Sequence, residues 1–322
     1  MHALRIGSLS TAVLIGSVLA LLLGALPITV NADVAGKSPL PLENPADGIY
    51  VHRGALATTA PENGGDIANI GFIVGSRCVA IIDTGGTRAI GAALLAALRK
   101  RTDKPVCYVI HTHVHPDHTF GDAAFVGDAT VFVAHARFPA ALAARREGYR
   151  QALDRLLGVQ AAGSEIAMPT LLVEGERQLD LGDRVISLKA WPTAHTNQDL
   201  TVFDLRTKTL WTGDLLFAGH VPVVDGKAIG WLAAIDALIA LNAAHVIPGH
   251  GTPLRDAATA FADQLRYLQV LISECRQALR DGVTLATAVD AVGSVEKERW
   301  LLFEDYHRRN VTAVYTELEW EN

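Results

Sequence analysis

The sequence predicts an α/β protein whose strands deliver ligand-bearing residues at their carboxyl ends. Three observations carry that expectation. Residues 78–82 and 106–110 are short apolar runs, and between them Ile90, Leu94, Leu95 and Leu98 recur at helical spacing. A strand, helix, strand unit of this kind implies a parallel pair. Each run ends in polar residues beside a turn: the first in Asp83-Thr-Gly-Gly, the second in the stretch HTHVHPDH at residues 111–118. A later apolar run opening at His245 ends the same way, in Pro248-Gly-His250-Gly.

Read in order, the segment 1–32 stands apart. Arg5 precedes an apolar stretch over residues 11–30, and Val30-Asn31-Ala32 forms a small-residue site before Asp33. That pattern predicts a secretory signal peptide with a mature chain from Asp33 to Asn322, in the periplasm or secreted. The rival reading is an uncleaved membrane anchor, against which Gly16, Gly24 and Pro27 weigh. No cysteine lies there, which excludes a lipoprotein.

After a proline-rich start, residues 48–53 and 70–74 read as strands, and residues 87–100 as the helix of the first unit. Residues 138–157, rich in alanine and arginine, read as a helix. Residues 171–204 read as successive strands punctuated by Gly175, Gly182 and Pro192, followed by a hairpin through Arg206-Thr-Lys. Residues 228–244 are helical, and Phe261, Leu265, Leu268, Ile272, Cys275 and Leu279 trace a further helical stripe, with another helix over 301–318. With no repeat and no low-complexity linker, residues 33–322 read as one domain whose C-terminal helices, about 253–322, pack on the body.

The chain carries a formal charge of −6, and its 28 lysines and arginines are scattered, so it offers no basic face for a phosphate backbone. Nucleic acid is excluded as a substrate class. Three cysteines, Cys78, Cys107 and Cys275, are too few for a disulfide scaffold and read most simply as buried small hydrophobes. A Cys78–Cys107 bridge stays open as an alternative that the sequence does not itself support.

The HTHVHPDH stretch places His113, His115, Asp117 and His118 within six residues. Neutral imidazoles and a carboxylate are the ligand set for zinc or a related divalent metal. A histidine spacing of two puts His113 and His115 on one side of an extended segment. Asp117 and His118 then point elsewhere, which implies two metals. Asp83, His195 in TAHTNQD, Asp214 in TGDLLF and His250 in PGHG share one context: a polar group beside a glycine or small residue at the end of an apolar strand.

With these motifs, in this order across about residues 45–255, the chain resembles the metallo-β-lactamase superfamily. The resemblance implies a four-layer αβ/βα sandwich with a dinuclear site at one edge. It implies that His113, His115 and His195 hold one metal and that Asp117, His118 and His250 hold the other. Asp214 would bridge them, Asp83 would support the ligands from behind, and Asp117 would orient the attacking water. The metals are expected to be two zinc ions, although iron or manganese also suits such ligands. His52, His111, His135, His245 and His307 take structural roles on this reading, while His220, six residues beyond Asp214, is a candidate for the substrate pocket.

The expected activity is metal-dependent hydrolysis of a small ester-, thioester- or lactam-like molecule. An aspartate at position 214 resembles glyoxalase II-like hydrolases more than zinc β-lactamases, and HTFGDAAF replaces the H-x-G-G of those relatives. A narrower likeness lies in GDLLFAGHVPVVDGKAIGWL, residues 213–232, and YHRRNVTAVYTELEWE, residues 306–321. These are similar to exported zinc metallohydrolases associated with quinoprotein dehydrogenases and to relatives found with thiosulfate oxidation. That likeness implies a periplasmic dehydrogenase or sulfur-oxidation system as partner. The alternatives are a zinc β-lactamase and a non-catalytic accessory protein of such a system.

Overall fold

The computed structural model describes residues 39–127 and 129–321, together with His2. The expected signal segment 1–32 lies outside the described residues, His2 apart. One sheet has seven strands in the order β1 (Glu43–Ala46), β2 (Ile49–His52), β3 (Ile70–Val74), β4 (Val79–Ile82), β5 (Val106–Ile110), β6 (Val131–His135) and β7 (Leu171–Val173). The other has six, in the spatial order β13 (Leu254–Arg255), β12 (His245–His250), β11 (Thr209–Phe217), β10 (Leu200–Asp204), β9 (Val185–Ala190) and β8 (Glu176–Asp180). Strands β4 to β7 run parallel, as do β11 and β12. The helices are α1 (Arg88–Arg99), α2 (Pro116–Thr119), α3 (Phe138–Leu157), α4 (Ala228–Ala240), α5 (Ala257–Arg280), α6 (Leu285–Ala291) and α7 (Phe303–Leu318).

The layers follow from the period of two along the strands. In β4, Val79 and Ile81 face α1 and pack with Ile90, Leu94 and Leu98. Ala80 and Ile82 face the second sheet and pack with Leu188, Val202, Trp211 and Ile247. With both faces covered, β4 is apolar at every position, as a buried parallel strand must be. The far face of the second sheet is covered by α4, α5 and α7, where Leu210 and Leu215 share a core with Trp231, Phe261, Leu268 and Val314. Helix, sheet, sheet, helix is the sandwich that the sequence predicts.

Two details differ from the sequence reading. Cys78 and Cys107 form a disulfide, with Cα atoms 5.8 Å apart. Cys78 immediately precedes β4 and Cys107 lies in β5, its neighbour in the parallel ladder, which brings the two Cα atoms within bridging range. Cys275 is buried and free, as expected. The expected helix over 228–244 stops at Ala240, and Asn242 turns left-handed at φ 49° to redirect the chain into β12. Helix α6 lacks a sequence signal because it has seven residues and buries only Ala288.

Candidate metal centre

The open edge shared by the two sheets collects the strand ends. β4 delivers Asp83, which sits left-handed at φ 53°. The chain leaving β5 runs through His111–His118 into the short α2, whose first residue is Pro116. His195 lies in the connection from β9 to β10, and His250 closes β12. Asp214 stands inside β11, where the register against β12 breaks at Gly213. Gly213 adopts φ 51°, a conformation in which glycine carries no Cβ penalty, and the resulting bulge re-aims the following carboxylate.

Two groups of side chains result. The ligand atoms of His113, His115, His195 and Asp214 lie within 4.8 Å of one another, and so do those of Asp117, His118 and His250. In the first group His113 Nε2 is 3.0 Å from His115 Nδ1, which is 3.1 Å from His195 Nε2. Asp214 Oδ2 lies 3.6 Å from His113 Nε2 and 3.5 Å from His195 Nε2. In the second, Asp117 Oδ2 is 3.6 Å from His118 Nε2 and 3.4 Å from His250 Nε2. Asp214 Oδ1 faces those same imidazoles at 3.1 and 3.4 Å. Ligands ~2.0–2.1 Å from a tetrahedral zinc ion stand about 3.3 Å from each other, so this spacing fits two such ions. The carboxylate of Asp214 turns one oxygen to each group.

The outward nitrogens show why the inward ones converge. His118 Nδ1–H donates to Asp83 Oδ2 at 2.8 Å. Asp83 also accepts from the Thr112 amide at 2.8 Å and the Thr112 hydroxyl at 2.7 Å, and that hydroxyl accepts from His113 Nδ1–H at 3.0 Å. His195 Nδ1–H donates to the Val223 carbonyl at 2.7 Å, and His250 Nδ1–H to the Ile67 carbonyl at 2.8 Å. His115 is reversed: its Nε2–H donates to Asp225 Oδ2 at 3.1 Å. Each imidazole thus spends its proton outward, which fixes the tautomer and leaves the inner lone pair for a cation. His118 Nε2 and Asp214 Oδ1 are buried with no hydrogen-bond partner, as ligand atoms would be.

Electrostatics divide the donor set: burial lowers His113 and His195, whereas at His118 and His250 the Asp214 carboxylate outweighs burial and raises the imidazoles, so a cation held there would displace a proton. Burial would raise the Asp214 carboxyl, but His250, His118 and His113 hold it well below the usual carboxylate range. Burial lowers His195 to about 4, so its ring is neutral at pH 7. Burial and the neighbouring His250 lower His220 to about 4 as well. Asp225 resists burial and falls to about 2, because it accepts from His115 and faces Arg145.

In front of the groups lies a cavity of 580 Å³. Its floor holds His115, Asp117, His195, Asp214 and His250. His220 is a wall residue, 3% exposed, stacked on Phe217 at 5.3 Å and on His250 at 5.4 Å. The structure therefore sets it on the pocket side rather than at the surface. Four other histidines are occupied elsewhere: His52 with Asp66, His111 against Asp122, His135 with the Trp191 carbonyl and the Arg137 amide, and His307 with Tyr267 and Val292.

Sequence reasoning missed Asp225, Arg145, Tyr149, Tyr306 and Arg309, which line the same cavity. Three of them fall in the two segments singled out only by likeness, and the structure joins those segments. Asn310 accepts from the Val224 amide at 2.9 Å and donates to the Pro222 carbonyl, and Arg309 reaches Asp225 at 3.0 Å.

Residues 63–250 match the family profile described as the metallo-beta-lactamase superfamily. The chain belongs to that superfamily. Among superfamily structures, it is similar to the stereoselective inverting sec-alkylsulfatase Pisa1 from Pseudomonas sp., with TM-score 0.68 and 19% identity over 88% of this chain and 54% of that one. It is also similar to a metallo-beta-lactamase from Pontibacter korlensis, with TM-score 0.58 and 18% identity over 71% of this chain and 99% of that one. At such identities the likeness is one of fold. A local match of 51 residues, 43% identical, links it to the linear primary-alkylsulfatase of Pseudomonas sp. (strain ATCC 19151), covering 16% of this chain and 10% of that protein. The chain thus spans about half of one alkylsulfatase and a tenth of the other.

Proposed function

We propose that this member of the superfamily is an exported hydrolase that holds two zinc ions and cleaves an ester-type bond in a small molecule. The observation that carries the reading is the convergence of five imidazoles, each with its proton spent outward, on the two oxygens of Asp214. His113, His115 and His195 would hold one ion, and Asp117, His118 and His250 the other, with Asp214 between them. Two divalent cations so held would supply a nucleophilic water at neutral pH and a Lewis acid for the electrophilic oxygen. Asp117 is the residue we assign to the proton of that water. Its Oδ2 faces His118 and His250, and its other oxygen carries no hydrogen bond among the described residues. Asp83 and Asp225 keep the imidazoles oriented through turnover, and the buried floor limits the water that reaches the bond being cleaved.

Export rests on the leader-like segment 1–32, and the Cys78–Cys107 bridge supports it, because such bridges persist in oxidising compartments. A periplasmic dehydrogenase or sulfur-oxidation system remains the proposed partner, on the likeness of residues 213–232 and 306–321. Within the hydrolase reading, carboxylic esters, thioesters and lactams are the first substrate classes. The local identity to a linear primary-alkylsulfatase adds sulfate esters as a second.

The test is metal content of protein purified without added metal, followed by a screen of thioesters, lactones, carboxylic esters, sulfate esters and nitrocefin with and without chelator. Two zinc per chain with chelator-sensitive turnover is the expected result. Nitrocefin as the best substrate would name a β-lactamase. Two zinc with no turnover on any class would sink catalysis in favour of an accessory role, and iron with redox activity would sink the hydrolytic mechanism.

A further inference from the structure

One side of the cavity is built unlike the rest. Helices α3 and α7 each present an arginine and a tyrosine one turn apart: Arg145 with Tyr149, and Tyr306 with Arg309. Asp225 sits between the guanidiniums, with Arg145 Nη2 3.0 Å from one oxygen and Arg309 Nη2 3.0 Å from the other. A guanidinium carries five N–H donors, yet among the described residues neither arginine makes any other hydrogen bond or ion pair. The hydroxyls of Tyr149 and Tyr306 have no intramolecular hydrogen bond among the described residues either. Two positive charges face one negative one, and that one already accepts from His115. The other cavity carboxylates, Asp117 and Asp214, face the imidazoles of the floor. The rim is thus rich in donors, short of acceptors and positive.

Its position says which part of a ligand it meets. The guanidiniums lie beyond Asp225, which itself lies on the outward nitrogen of His115, so one ring and one carboxylate separate them from the convergent ligand atoms. A group held there is not the group being cleaved. Along the same helix α3 the wall turns apolar at Ala152, Leu153 and Leu156, and Ile67 and Phe217 also line the cavity.

We propose that Arg145, Tyr149, Tyr306 and Arg309 form a subsite for a spectator anion, a carboxylate or sulfonate, on a substrate whose remaining body is apolar. This deepens the hydrolase reading and rests on it for the word substrate; the subsite itself is tested by binding alone. Fork-shaped guanidiniums suit the planar carboxylate, and charge-assisted bonds of this kind are worth about 10- to 100-fold in affinity.

The first arm is calorimetric titration of the zinc-loaded full-length protein with 4-phenylbutyrate, 4-phenylbutanesulfonate and the neutral 4-phenylbutyramide. Both anions are expected to bind at least 10-fold tighter than the amide, and Arg145→Gln/Arg309→Gln is expected to bring that ratio near one. A carboxylate that binds tightly while the sulfonate does not would narrow the ligand to carboxylates. Equal binding of all three probes, or a ratio that survives the double substitution, overturns the proposal. Arg309→Gln alone, at an exposed position, gives the same readout with a partial loss expected if the double variant fails to fold. The second arm compares kcat/KM for the 4-nitrophenyl ester of hemisuccinate with that of 4-nitrophenyl butyrate, a preference for the former that falls in the variants being the expected result. No turnover of either ester speaks against esterase activity only, and the first arm then decides the subsite.

Discussion

The floor of the cavity and its rim are made on opposite terms. On the floor, every imidazole has its outward nitrogen committed, to Asp83, Thr112, Val223, Ile67 or Asp225, and the side chains stand at strand ends packed between two sheets. On the rim, two phenols and most of two guanidiniums have no internal partner among the described residues, and the helices that carry them share Asp225 as a common ion-pair partner. On the proposed reading, the difference separates chemistry from recognition. A cation site demands sub-ångström placement, which rigid strands supply, whereas a subsite that reads a ligand must keep its donors unspent.

The sharpest way to break that contrast is Asp214→Ala, which removes the carboxylate common to both groups. Metal content should fall below two per chain and turnover by about 10³-fold or more, as expected when nucleophile and electrophile are both lost. Retained metal stoichiometry would show that Asp214 does not link the groups. Next in size stands Gly249→Ala: a Cβ there would meet Asp214 Oδ1 at 1.9 Å, and the clash cannot relax into the buried floor. A loss of about 1–3 kcal/mol in stability, read by denaturant unfolding, should accompany weakened metal binding.

Asp225→Ala tests where floor and rim join. It frees His115 to rotate and switch tautomer, so affinity for one of the two proposed ions should drop about 10- to 100-fold in a chelator competition, the other being spared. Equal weakening at both sites would make Asp225 a general strut instead. The smallest effect belongs to the rim itself. Tyr149→Phe deletes a hydroxyl with no internal partner, so thermal stability should move by no more than about 0.5 kcal/mol. A larger drop in Tm would mean the rim is structural after all.

The same division decided what could be read from the chain. The floor was legible because its parts are short and local: HTHVHPDH is contiguous, and Asp83, Asp214 and His250 each announce themselves beside a glycine or small residue at the end of an apolar run. The layered fold was legible for a related reason, since β4 is fully buried and β5 partly so, and both read as short apolar runs. The rim was not. Arg145 and Tyr149 look like the solvated face of an alanine-rich helix, and nothing in sequence links them to Arg309, more than a hundred residues away. The disulfide was hidden likewise, because Cys78 and Cys107 meet only through the pairing of neighbouring parallel strands. The two segments quoted for likeness alone contained Asp225, Tyr306 and Arg309, and only their contact through Asn310 gives them a physical role.

A carboxylate that serves two groups with one oxygen each also makes their occupancies thermodynamically inseparable. If each group held a cation, the first would fix the torsion of Asp214 and orient its second oxygen, while its charge would oppose the second. Whatever net factor results, linkage requires that it be the same in either order of loading. On the two-ion reading, a titration started from either group should give the same coupling factor.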